Sequence, residues 1–184
     1  AAPAAALAAL RRLAGRQLLC ALREGAFGAL ALNDAIERRL RQRWDVPADV
    51  AWFAGRVIMV TRNDYGSGLF NGDVGLCLRG ADGELRVWFE APDGEARAFA
   101  PGALPAHAAA WAITIHKSQG SEYGEVAVLL PPDPEHRILS RQLLYTALSR
   151  ARHAVEIWGS RASLDNALAR AVPRAGGLRD RLAR

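Results

Sequence analysis

Two hydrophobic rhythms share this chain, and one is nested inside the other. From residue 17 to 45 and again from 109 to 160, short apolar runs alternate with helix-like stretches. Gln17-Leu18-Leu19-Cys20-Ala21-Leu22 reads as a buried strand, and residues 110–115, 126–130 and 154–158 read as further strands. A helix through Ile36 and Leu40, capped by Asn33 or Asp34, follows the first run. Another spans 138–150, with Leu143, Leu144, Ala147 and Leu148 on one face. Such alternation implies a mostly parallel sheet with helices on its faces. Between 55 and 106 the period changes. Glycine becomes dense, and residues 56–61, 72–78, 85–89 and 96–99 form short alternating runs. Asp82-Gly83 and Asp93-Gly94 sit between them as hairpin turns. Four or five short antiparallel strands in this stretch predict a small β-barrel inserted into the α/β unit. Residues 1–16 read as helical, and 161–184 as a polar helix broken at Pro173 and Gly176-Gly177. The start at Ala1-Ala2-Pro3 suggests a piece of a longer protein.

Composition removes several classes. With 51% hydrophobic and 23% charged residues among 184, the chain can fill a core. No window of about 18 apolar residues is free of charge, so no membrane span is expected. The N-terminus lacks the basic-then-apolar order of an export signal. Cys20 and Cys77 have no CxxC or CxxH spacing, which fits a reducing cytoplasm better than a disulfide or zinc scaffold. The net charge of +5 permits a polyanionic partner without requiring one, and Lys117 is the only lysine among the 24 basic residues.

Four clusters concentrate chemistry. Ile113-Thr114-Ile115-His116-Lys117-Ser118-Gln119-Gly120-Ser121-Glu122 follows a strand, where open α/β sheets bind ligands at carboxyl ends. Its hydroxyls and amides suit backbone phosphates, and Glu122 suits a sugar hydroxyl; on chemistry alone a solvated turn capped by Ser118 accounts for the string somewhat better. Arg150 and Arg152 close the 138–150 helix, where cations suit the helix dipole. A held guanidinium there could instead meet a transferring phosphate. Arg23 follows the first strand. Asn63, Asp64, Phe70, Asn71 and Asp73 surround a Gly66-Ser67-Gly68 loop, largely as turn chemistry. No carboxylate cluster converges, so no metal is expected on this chain.

In order, these motifs resemble the C-terminal part of the RecD-type superfamily 1 DNA helicases, the alpha subunit of exodeoxyribonuclease V. Arg16 to Asn33 resembles helicase motif IV and its flank. Residues 55–65 with 69–75 are similar to the segment entering the family's inserted barrel. Residues 114–122 look like motif V and 145–151 like motif VI. The resemblance covers about residues 15–160.

The resemblance implies an α/β fold: a RecA-like second motor domain of P-loop-NTPase type, without Walker A, formed by 1–54 and 108–184, with an SH3-like β-barrel at 55–107. It implies ATP as the nucleotide. Arg150 would be the arginine finger on the γ-phosphate, and Arg23 a second guanidinium on it. Gly120 and Glu122 would lie on the nucleotide side, Glu122 near the ribose. Thr114, His116 and Ser118 would face single-stranded DNA, with Asn63, Phe70 and Asn71 on the barrel's DNA side. Partners would be single-stranded DNA, read without sequence preference, and RecB-like and RecC-like subunits; the setting would be cytoplasmic double-strand break repair by 5′→3′ translocation. One departure is decisive. There is no GxxxxGK[ST] loop and no Walker B acid after an apolar strand. The phosphate cradle and the Mg2+ ligands would therefore lie outside this chain, which alone would be inactive. A free-standing RecD-like helicase, a conjugative relaxase-type helicase and an inactive helicase-like scaffold remain as alternatives.

Overall fold

A computed structural model describes residues 2–171. In chain order its elements are α1 (Pro3–Leu13), β1 (Arg16–Cys20), α2 (Ala29–Arg43), β2 (Val57–Val60), β3 (Val74–Arg79), β4 (Leu85–Glu90), β5 (Ala96–Phe99), β6 (His107–Ala109), β7 (Ala112–Thr114), β8 (Tyr123–Leu129), α3 (Arg141–Leu148), β9 (Ala151–Trp158) and α4 (Arg161–Ala169).

The first sheet has the order β7-β1-β8-β9, and its three pairings are all parallel. The apolar runs are continuous because both faces of the inner strands are covered. Leu19, Val126 and Val128 face one way and pack with Leu143, Leu144 and Ala147 of α3. Leu18 and Cys20 face the other way, against Ala29 and Leu32 of α2. Register defines two ends. Cys20 is level with Thr114 and Leu129 at the carboxyl end. Arg16 is level with Glu125, and Glu125 with Ala154, toward the amino end.

The second sheet is antiparallel, in the order β5-β4-β3-β2-β6, and lies in sequence between α2 and β7. All four residues of β2 are buried, because its two faces serve two cores. Val57 and Met59 join the main core with Leu76 and Trp88. Ile58 and Val60 pack with Leu69, Cys77, Val87 and Phe89. The described strands thus pair as a five-stranded antiparallel sheet, a coarser statement than the closed barrel anticipated. Helix α1 spans both sheets: Ala6 and Leu10 enter the main core, and Arg11 pairs with Glu90 of β4 at 2.8 Å.

Local chemistry moves several boundaries. Helix α2 begins at Ala29 behind Gly28, so Asn33 lies within it and is no cap. Buried Asn33 instead grips the backbone of Ala112: Nδ2 donates to the carbonyl at 2.8 Å, and Oδ1 accepts the amide at 3.0 Å. Helix α3 starts only at Arg141, where the Ser140 hydroxyl accepts the Leu143 amide at 3.2 Å. Strand β9 begins earlier than its apolar run, at Ala151 opposite Tyr123. The expected break at Pro173 and Gly176-Gly177 lies outside the described residues. Cys20 and Cys77 are buried free thiols, and burial pushes both up to about 11.

Candidate functional site

The segment from Thr114 to Tyr123 crosses from the carboxyl end of the first sheet to its amino end. Thr114 closes β7, and its hydroxyl accepts the Lys117 amide at 3.3 Å, starting a 3-10 turn over Ile115–Ser118. Buried Ile115 pins that turn in the main core. His116 and Lys117 are exposed. Ser118 is not: it is 0% exposed, and its hydroxyl donates to the Ile115 carbonyl at 2.7 Å. A hydroxyl consumed inside its own turn cannot meet DNA, which corrects the expectation for Ser118.

Gly120 then reverses the chain at φ 89. Nothing lies within 4 Å of the position a Cβ would take, so the glycine serves the left-handed backbone rather than a tight contact. Glu122 follows, just before β8.

Arg150 reaches this loop from the other side. It follows α3, and its carbonyl accepts the Tyr123 amide at 2.8 Å. Its guanidinium donates three times: Nε to the Thr146 carbonyl at 3.2 Å, Nη1 to the Ser121 carbonyl at 3.1 Å and Nη2 to the Ser149 hydroxyl at 3.0 Å. Among the described residues no carboxylate pairs with it, so the group is positioned by neutral acceptors while its charge stays uncompensated. Arg152 donates through Nε to Glu122 Oε2 at 2.9 Å, with both side chains more than half exposed. Buried Tyr123 lies beneath the group; burial raises its phenol above the usual value, against the lowering effects of the Ser121 hydrogen bond and the Arg150 charge. Gly120, Glu122 and Arg150 are thus brought into one open surface.

Arg23 is elsewhere. It is exposed beyond the carboxyl end of β1. At about 3.3 Å per residue, the run from Tyr123 to Leu129 alone sets the two ends of the sheet about 20 Å apart. Two guanidiniums so placed do not converge on one phosphate, which corrects the shared γ-phosphate expected for Arg23 and Arg150. Arg23 shares its end of the sheet with Thr114.

In the second sheet, the polar residues mostly build a loop. Asn63 Oδ1 accepts the Asn71 amide at 2.8 Å, and Asp73 Oδ2 accepts the Phe70 amide at 2.8 Å. Asp64 accepts from the Ser67 hydroxyl and the Gly66 amide, which hold its carboxyl below the usual range. Phe70 is 42% exposed and meets the 82% exposed Tyr65 edge-on, with centroids 5.9 Å apart. Sequence reasoning gave Tyr65 no role, took Asn33 for a helix cap, and read Arg152 as a helix-end charge. The partner of Arg152 lies 30 residues away in sequence, across the β8–β9 pairing, where no local string shows it.

Residues 109–157 match the UvrD-like helicase C-terminal domain family. Over 174 residues the chain is 44% identical to the RecBCD enzyme subunit RecD of Mycobacterium tuberculosis, covering 95% of this chain and 30% of that protein. The chain belongs to the RecD type of superfamily 1 helicases, as a C-terminal portion. The RecD of Haemophilus influenzae is 36% identical over 88% of this chain and 24% of its own length. The ATP-dependent RecD2 DNA helicase of Deinococcus radiodurans is 36% identical over 63% of the chain and 16% of its own. The chain therefore spans less than a third of the RecD relatives it matches. A Bacteroides Pif1 helicase solved with ADP-AlF3 and ssDNA superposes with a TM-score of 0.56 at 16% identity, over 91% of this chain and 44% of that one. A second Pif1 structure bound to ssDNA gives 0.51 at 16% identity over 96% of this chain and 49% of that one. At such identities the likeness concerns the fold, which is that of a RecA-like helicase domain.

Proposed function

We propose that this RecD-type chain supplies the second half of the ATP cleft, and part of the DNA track, of an ATP-dependent 5′→3′ DNA helicase. The observation that carries the reading is Arg150: a guanidinium fixed at three donors to neutral acceptors, with no carboxylate among the described residues paired to it, on an open surface. A planar fork so held matches phosphate oxygens and needs little reorganisation to stabilise charge developing on a transferring phosphoryl group. Beside it, Glu122 accepts from the ribose and Gly120 shapes the loop. At the other end of the sheet, Thr114 and His116 face single-stranded DNA, and Arg23 joins them there. One strap, 114–122, thereby links the DNA side to the nucleotide side.

The phosphate loop and Walker B acid lie on a region outside these 184 residues. The Mg2+ ligands would lie there as well. When bound, the metal neutralises phosphate charge; the contribution of this chain is the guanidinium. Cleft closure brings Arg150 toward the γ-phosphate and shifts Thr114 and His116 along the DNA backbone, and reopening resets them. Contacts to phosphate and sugar make this independent of base sequence.

In the same reading, residues 1–54 with 108–184 form the motor domain and 55–107 an SH3-like barrel. Asn71 and exposed Phe70 lie on its DNA side, and Asn63 shapes their turn. RecB-like and RecC-like subunits are the partners, in the cytoplasm, during double-strand break repair. The broader match to RecD subunits than to the RecD2 helicase favours the subunit form. The test is Arg150→Ala in the full-length protein. DNA-stimulated ATP turnover falls by about 10³-fold or more while single-stranded DNA affinity stays near that of the parent. Normal turnover overturns the assignment.

A further inference from the structure

Glu122 sits on an exposed loop end, where an unheld carboxylate would sample several rotamers. It is held by one contact only. Arg152 Nε donates to Oε2 at 2.9 Å, and among the described residues Oε1 has no partner. The donor sits near the start of β9. Ala151 is level with Tyr123; Arg150 lies in the turn before β9, Arg152 lies where the register shifts between Tyr123 and Glu125, and both guanidiniums reach the loop. The two arginines divide the work: Arg150 takes the Ser121 carbonyl, and Arg152 takes the next residue's carboxylate.

We propose that Arg152 is a positioning residue for nucleotide sugar recognition, holding Glu122 by one oxygen so that the other is presented to a ribose hydroxyl. This rests on the reading of Glu122 given above. A carboxylate pinned at Oε2 and open at Oε1 accepts a hydroxyl hydrogen with its side-chain entropy already spent. Arg152 does not itself touch the nucleotide. Its effect therefore depends on Glu122 and on the sugar hydroxyls, and not on the phosphates, which belong to Arg150.

The experiment uses the full-length protein and compares steady-state ATPase on single-stranded DNA with ATP and with 2′,3′-dideoxy-ATP. The parent shows a lower KM for ATP. Arg152→Gln raises the KM for ATP roughly three- to tenfold, the factor one hydrogen bond carries, and leaves that for the dideoxy nucleotide unchanged. Glu122→Gln does the same, and the double variant is no worse than either single one. Arg152→Lys recovers part of the loss. If Arg152→Gln raises both KM values equally, or acts on kcat alone, the proposal falls, because the arginine then serves phosphate or scaffold. If Glu122→Gln erases the discrimination and Arg152→Gln does not, the positioning role falls while the ribose role of Glu122 stands. If neither variant changes the discrimination, the ribose reading falls and takes this one with it. The thermal melt of each variant, unchanged for two exposed side chains, separates these outcomes from misfolding.

Discussion

Asn33 uses both ends of its amide on one residue, accepting from the backbone amide and donating to the carbonyl of Ala112 on the outer edge of β7. Without it, a buried edge would keep an unpaired donor and acceptor. Asn33→Ala is therefore expected to cost about 1–3 kcal/mol, read as a lower urea midpoint with unchanged slope. Asn33→Asp fares no better, since it loses the donor and sets a carboxylate against the Ala112 carbonyl. In the sequence Asn33 looked like a helix cap, because Ser, Thr, Asn and Asp mark helix starts and its true partner lies 79 residues on. Glu122 and Arg150 were legible because their motifs are local strings in a fixed order. Arg152 was only half legible, since its partner sits across a strand pairing. Ser118 and Arg23 misled for a shared reason: a string gives residue types but not the direction a turn sends them, nor the end of the sheet they reach.

Elements place these groups more tightly than their side chains do. Strand β8 starts against the end of α1: the Gly124 amide donates to the Ala14 carbonyl at 3.2 Å, and the Glu125 amide to the Gly15 carbonyl at 2.8 Å. A Cβ on Gly124 would lie 2.7 Å from the Gly15 carbonyl oxygen, a backbone atom that cannot swing aside. Gly124→Ala thus forces β8 from α1 just where Tyr123 pairs with β9 and Glu122 begins. The expected loss is about 1–3 kcal/mol in denaturant unfolding, with a raised KM for ATP in the full-length protein. Arg150→Ala, by contrast, acts on turnover. At this scale the continuous apolar runs marked the inner strands β1 and β8, because a strand covered on both faces must be largely apolar, whereas the edge strand β9 is mostly exposed. The start of β9 was hidden: Arg150 and Arg152 break the apolar run, although α3 already ends at Leu148 and Ala151 pairs with Tyr123.

In the molecule as a whole, the nested sheet is not a free appendage, because both sheets share one core. Leu19, Val126 and Val128 of the first and Val57, Leu76 and Trp88 of the second belong to a single cluster, and Leu10 of α1 sits in it at 6% exposure. Sequence rhythm revealed that one unit interrupts another but could not reveal this shared core, since α1 looked like an Ala-rich flank and β6 had no apolar run to announce it. A common core predicts a common transition. Leu10→Ala removes a side chain from between the sheets, at a cost of about 2–5 kcal/mol. Hydrogen exchange decides whether that cost is shared. If the sheets unfold together, the slowest amides of β1 and β8 lose the same protection free energy as those of β3 and β4. If the second sheet opens by itself, the loss appears in β3 and β4 alone, and the amides of β1 and β8 keep their parental protection. A common loss would also mean that the strap from Thr114 to Glu122 is braced by both sheets, so that load arriving at one end of the strap reaches the other without being absorbed in between.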